Sequence, residues 1–250
     1  MGRFASTVEF YARLREPYLP EFFAAASERI KLRGQEKLLD VGCGPGLLAI
    51  GFAPYVGTVT ALDPEPAMVV AAQNAAAQAG AAISFSLSRL EEFISPEPYD
   101  VVVLGRMLHW LKRDAALQVL SRIVAESGHI LTCAAFNEKS GLSPWVKPYE
   151  HVRCSWADDP EQKFYRIDER DWFAESDFQY AGDVSVVGRQ EVTIDGLIGR
   201  ALSKSNTSPE VVGIRREEFE AQLRAVLQPF ATNGVLQEQI VNRARIFSRR

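Results

Sequence analysis

Cysteine and histidine are scarce in this chain, with 3 of each among 250 residues. Cys43, Cys133 and Cys154 share no metal-ligand spacing and form no C-x-x-C pair, so no metal is expected and reduced thiols are the simplest reading. Basic excess is missing as well. Lys and Arg number 28 against 32 Asp and Glu, a net charge of −4, which disfavours a partner held by broad phosphate neutralisation, such as nucleic acid. The Arg pairs at 215–216 and 249–250 read as solvated positions. The amino terminus lacks the basic-then-apolar pattern of a signal peptide, and no apolar run approaches a membrane span. The expectation is a soluble, cytoplasmic protein without a membrane partner.

What the chain does have is material for a core. At 250 residues, 47% hydrophobic and 24% charged, it can build one large α/β domain, and two independent domains are not required. Apolar strands alternate with helical patterns at intervals that demand parallel crossovers. An amphipathic helix is expected over 18–31, and strands at 37–41, 58–62, 83–87, 100–104 and 129–135, with helices near 46–54, 65–79 and 114–125 between them. Gly80 supplies a helix stop. Residues 137–170 carry Trp145, Pro148, Tyr149, His151, Trp156, Phe164 and Tyr165 without a long regular period. That stretch reads either as a loop cover over a substrate or as an excursion packing its own aromatics into a satellite cluster. A helix at 170–176, a strand at 182–192, helices at 194–203 and 215–228 and a last strand at 235–248 complete the pattern.

One segment carries chemistry. Leu38-Leu39-Asp40-Val41-Gly42-Cys43-Gly44-Pro45-Gly46 runs an apolar strand into three glycines at alternate positions, followed by a helical pattern. Glycine tolerates positive φ and lets bare backbone approach a ligand. No Lys-Ser or Lys-Thr follows, so this is not a phosphate-gripping P-loop. A dinucleotide fingerprint needs a third glycine where Leu47 stands. About 20 residues beyond the glycines, Asp63 closes the next strand. An acid there suits a ribose hydroxyl pair, and Asp63-Pro64-Glu65-Pro66 equally suits a capped helix start.

The nonapeptide resembles the first motif of class I S-adenosylmethionine-dependent methyltransferases. The likeness covers about residues 8–250 and lies nearest the small-molecule enzymes of methyltransferase type 11, such as the trans-aconitate and ubiquinone/menaquinone methyltransferases. It implies an α/β fold: a Rossmann-like three-layer sandwich, single domain over 1–250, with a seven-stranded, mostly parallel sheet whose last strand is antiparallel. A lid-like insertion follows strand five. It further implies that Asp40, Gly42, Cys43, Gly44 and Gly46 meet the methionine part of the cofactor, Asp63 the ribose and Met68 the adenine edge, with Pro64 also at the cofactor. Gly105 and Arg106, in the strand-four ending Leu104 to Trp110, would run under the cofactor. Related enzymes often read Gly-Asp-Ala-Glu where Ser88-Arg89-Leu90-Glu91 stands here. Arginine only donates hydrogen bonds, so either a backbone carbonyl near Leu90 takes over the adenine contact or Arg89 points elsewhere.

The segment Tyr11 to Tyr18 is similar to the family's opening segment, which makes 1–33 a candidate helical lid, with Tyr11 and Arg15 reaching cofactor or substrate. The implied activity is transfer of a methyl group to an O, N or C nucleophile of a small metabolite or natural-product intermediate, by a monomer or homodimer. Alignment and water exclusion supply most of such a rate. Where a base is needed, His109 and His151 are the candidates with Tyr11, and His129 reads as structural. Aminopropyl transfer, a macromolecular acceptor and a non-catalytic relative remain open on the same scaffold.

Overall fold

The computed structural model describes residues 14–137, 142–157 and 167–250. Helix α1 (Pro20–Arg29) opens with proline, where the missing N–H had no partner to lose, and buries Phe22, Phe23 and Ala26. Then follow β1 (Lys37–Val41), α2 (Leu47–Phe52), β2 (Thr58–Asp63), α3 (Pro66–Ala79), β3 (Ile83–Leu87), β4 (Tyr99–Gly105), α4 (Arg113–Ile123) and β5 (Val124–Asn137). The chain continues through α5 (Val146–Ser155), α6 (Glu169–Trp172), β6 (Phe178–Thr193), α7 (Ile194–Leu202), α8 (Pro209–Val212), α9 (Arg216–Leu227) and β7 (Val235–Arg249). Gly80 ends α3 with a left-handed φ of 65°, as its sequence position demands.

The seven strands form one sheet in the order β3-β2-β1-β4-β5-β7-β6. β1 pairs in parallel with β2 and β4, β2 with β3, and β4 with β5. β7 runs the other way. Arg249 at its end donates to the Val124 carbonyl at the start of β5, and Asn137 at the end of β5 donates to Glu238 near the start of β7. Gln179 at the start of β6 likewise meets the Arg249 carbonyl, so β7 is antiparallel to both neighbours. The sheet is the one expected of the fold class.

Adjacent residues of the central strands feed different layers. Leu38, Val101 and Val103 join Phe22, Phe23, Phe52 and Ala72 on one face. Leu39, Val102 and Leu104 join Ala116, Leu120 and Ile123 of α4, with Trp172, Phe173 and Phe247, on the other. Burial on both faces explains the near-continuous apolar runs of β1 and β4. Each buried Phe or Leu adds roughly 1.5–3 kcal/mol of transfer free energy, and edge-on aromatic pairs such as Phe23 with Phe52, 5.0 Å apart at 89°, fix the fit.

The described residues fall into two compact units. The larger takes 18–134, 167–186 and 242–250, and holds both of these layers. The smaller takes 14–17, 135–137, 142–157 and 187–241, with its own core of Trp145, Val146 and Tyr149 against Ile194, Leu197, Ile198, Phe219 and Leu223. A polar network is buried in it. Glu238 accepts from Arg200, from Asn137 and from Gln190 Nε2 at 2.7 Å, while Arg200 Nε donates to the Leu14 carbonyl at 2.7 Å.

Three local readings change. The stretch 137–170 is not wholly irregular, since Val146–Ser155 is helix and its buried face is Val146, Tyr149 and Arg153. A fully buried arginine and a proline in the first turn hid that period. β5 begins at Val124, but Tyr99 pairs with Val124 and Val101 with His129, so residues 125–128 bulge out of the ladder. Arg249 is not a solvated position: it donates to the Val124 and Ser121 carbonyls with its guanidinium 5.6 Å from the Phe178 ring centre.

Candidate active site

The strand order reverses between β1 and β4, whose carboxyl ends lie side by side with Val41 opposite Leu104. In parallel α/β sheets ligands bind at such a switch point. The glycine loop emerges there. Gly42, Gly44 and Gly46 have φ of 64°, 53° and 86°, all in the region that side chains disfavour. A Cβ on Gly42 would stand 2.7 Å from Met107 Cε, and one on Gly105 would stand 2.7 Å from Leu48 Cδ1. The Met107 side chain therefore packs directly on the Gly42 backbone, and the Leu48 side chain on that of Gly105.

Two acids organise this loop. Asp40, the fourth residue of β1, is buried and accepts the Ala49 amide at 2.9 Å through Oδ2, while its Oδ1 is buried with no hydrogen-bond partner among the described residues. Burial, with the nearby Asp63 charge, pushes its carboxyl up to about 7. Asp63, at the end of β2, accepts from Gly44 N–H and Glu65 N–H, each at 2.9 Å. Burial raises the Asp63 carboxyl too, against those two bonds. Asp63 is not the N-cap expected as one alternative, because Glu65 takes that position without a side-chain cap bond; its carboxylate instead buttresses the glycine loop and the residue that precedes α3. Cys43 donates its N–H to the Leu62 carbonyl, and burial pushes its thiol well up, which makes it an inert packing group.

The other sequence-derived residues divide. Pro64 is exposed beside Asp63, and Met68 is buried in the first turn of α3. Arg89 is exposed, whereas Leu90 packs into the core with Leu62, Leu104 and Leu108. Arg106 follows Gly105 with a left-handed φ of 55° and sits 5.2 Å from the Tyr18 ring centre. Strain of that kind concentrates where function fixes geometry. His109 is exposed on the single turn Leu108–Trp110, its ring 5.0 Å from that of Trp110. His151 is exposed on α5 of the smaller unit, where Arg15 also lies, donating to the Ser203 carbonyl at 3.1 Å. Tyr11 lies outside the described residues. His129 sits on β5, its Nδ1 buried without a partner among the described residues, and burial lowers its pKa.

Sequence reasoning passed over Met107 and Tyr18. Met107 walls the Gly42 turn, and the Tyr18 hydroxyl lies 3.8 Å from where a Gly105 Cβ would be. Both stand in segments whose neighbours drew attention. For Met107 the signal was its place two residues after Gly105; Tyr18 has no glycine near it in sequence, and only the folded chain brings it to Gly105.

The donor set can be tested against the cofactor that the fold implies. A buried carboxylate oxygen with no partner needs a donor, preferably a cation. The amino group of S-adenosylmethionine is one, and three left-handed glycines leave backbone bare beside it. The residues fit. Among the described residues, no group of three metal-ligating side chains occurs, and no helix is long and apolar enough to cross a membrane.

Comparison with known proteins supports the same assignment, for residues 38–128 match a family described as a methyltransferase domain. The matched stretch runs from β1 into the β5 bulge and contains the glycine loop, Asp63 and the end of β4. An uncharacterized methyltransferase of Schizosaccharomyces pombe is 29% identical over 129 residues, 49% of each chain. A ubiquinone biosynthesis O-methyltransferase of Photobacterium profundum is 34% identical over 98 residues, 38% of this chain and 42% of that protein. The chain thus matches less than half the length of either curated relative. Among solved structures, a methyltransferase of Thiobacillus denitrificans in complex with S-adenosylhomocysteine shares the fold, with a TM-score of 0.59 at 18% identity over 100% of this chain and 99% of that one.

Proposed function

We propose that the protein is an S-adenosylmethionine-dependent methyltransferase acting on a small-molecule acceptor. The observation that carries this reading is the buried, partnerless Oδ1 of Asp40 beneath a left-handed glycine loop at the switch point. When bound, the cofactor supplies a methyl group activated on a sulfonium sulfur. Asp40 holds its amino group, the bare backbone at Gly42 to Gly46 lies along its amino acid portion, Asp63 receives the ribose hydroxyls and Met68 borders the adenine. Met107 and Leu48 exclude water from the glycine loop and the end of β4. His109, exposed on the turn after β4, is the group placed to accept a proton from a hydroxyl or amine acceptor. Its neighbour Trp110, also exposed, offers an aromatic face to a partly apolar molecule.

The ubiquinone biosynthesis relative supports a hydroxyl oxygen as the acceptor atom. Calorimetric titration with S-adenosylhomocysteine and, separately, NAD is the test. Binding of the first that is lost in Asp40→Ala supports the proposal. Binding of NAD alone rejects it. A screen of phenols, amines and carbon acids with the labelled methyl donor then reads the acceptor class, with His109→Ala slowing transfer to hydroxyls while leaving cofactor affinity unchanged.

A further inference from the structure

Among the described residues β6 is an outer strand of the sheet, with β7 its one strand neighbour and its other edge open, and it runs for 16 residues. A usual strand has about 5–6, and long edges are templates for a further strand unless blunted. β6 contains no proline. Its first part is blunted: Gly182 has φ of 128° and the Arg29 guanidinium occupies the Ala181 carbonyl at 2.8 Å. The rest is open, and its register shows which groups face outward. Ile194 N–H donates to the Gly234 carbonyl, and Gln190 with Glu238 and Gln237 with Glu191 keep the same pairing sum. Even-numbered residues therefore aim their backbone groups at β7, and odd-numbered residues from Asp183 to Thr193 aim theirs away from it. These odd residues are also the exposed ones.

The geometry points to a homodimer in which β6 pairs antiparallel with β6 of a second copy about a two-fold axis at Val186. Charge favours this register over the next two towards the carboxyl end. It sets Asp183 opposite the partner's Arg189, twice by symmetry, and Ser185 opposite the partner's Val187. It also brings the two exposed Val187 side chains, each 57% accessible in the single chain, into diagonal contact. An axis at Val187 instead sets Asp183 against the partner's Glu191, two like charges. An axis at Gly188 sets the two Arg189 side chains on a repelling diagonal. Tyr180 donates its hydroxyl to Asp183 Oδ1, which steadies the carboxylate on its strand.

Sedimentation velocity of the full chain over a range of concentrations tests this. The wild type is expected to dimerise, Arg189→Asp to raise the dimer dissociation constant at least tenfold, and the charge-swapped double variant Asp183→Arg/Arg189→Asp to restore it. A monomer at every soluble concentration overturns the proposal, as does a dimer indifferent to Arg189→Asp or a double variant that stays dissociated. Circular dichroism melts show that each variant is folded. Titration of the same samples with S-adenosylhomocysteine reads the cofactor site separately, so failure of one proposal does not mask failure of the other.

Discussion

Asp63 Oδ2 accepts the Gly44 amide at 2.9 Å, so the acid that ends β2 grips the loop that leaves β1. This bond links the side chain expected to meet the ribose to the backbone expected to meet the amino acid end. Asp63→Ala should lower affinity for S-adenosylhomocysteine at least tenfold and lower stability by about 1.5–3 kcal/mol, the range for a hydrogen bond to a charged group. Titration calorimetry and urea denaturation measure the two effects. Unchanged loop stability with lost binding would confine Asp63 to the ligand.

Asp40 gives the fold a pH dependence of definite sign. Its carboxyl is raised from 3.8 to about 7, so between those values the folded state holds the proton that the unfolded chain releases. Stability conferred by that proton is complete below pH 4 or so and is lost as pH rises towards 7. At about 1.4 kcal/mol per unit, the loss is bounded at about 4 kcal/mol. Asp40→Asn, which can still accept the Ala49 amide, should flatten this slope in urea denaturation of the ligand-free protein between pH 4 and 8. Binding of a cationic ligand should expel the proton, and calorimetry in buffers of different ionisation enthalpy counts it. Equal pH slopes in the wild type and the Asn variant would contradict the assignment.

Gly42→Ala tests the loop. Its φ of 64° alone costs an L-residue about 1–2 kcal/mol, and the new Cβ displaces the Met107 methyl 2.7 Å away. Met107→Ala in the same chain should relieve the clash but not the backbone strain. Thermal melts of the single and double variants separate the two contributions.

The buried pair of Arg200 and Glu238 makes an asymmetric prediction. Their side chains are 4% and 0% exposed, so Glu238→Gln alone leaves a buried cation and should cost about 3–5 kcal/mol. Replacing both by Met and Leu should cost much less. A double-mutant cycle by denaturation reads the difference.

The boundaries of β1 and β3 and the end of α3 at Gly80 were legible because alternation, apolar runs and a left-handed stop act locally. The turn geometry of the glycine loop was legible for the same reason, since alternate glycines between a strand and a helix favour positive φ, whereas the bond from Asp63 to Gly44 was not. What escaped depends on distant partners. Arg153 becomes a buried residue only when Glu150 and Asn206 close around it, and Arg249 reads as solvated until the carbonyls of residues 121 and 124 meet it. Met107 gains its role only when β4 lies beside β1.

The position of β7 has a consequence for biogenesis. It follows the other six strands in chain order, yet it lies between β5 and β6. Until β7 leaves the ribosome, β6 lacks the described strand it registers against, although the five earlier strands can already pair through contacts among themselves. The sheet is thus completed by insertion of β7 between strands already made, and a chain stopped before Val235 would present an unfinished β5 edge to whatever cellular machinery inspects nascent proteins.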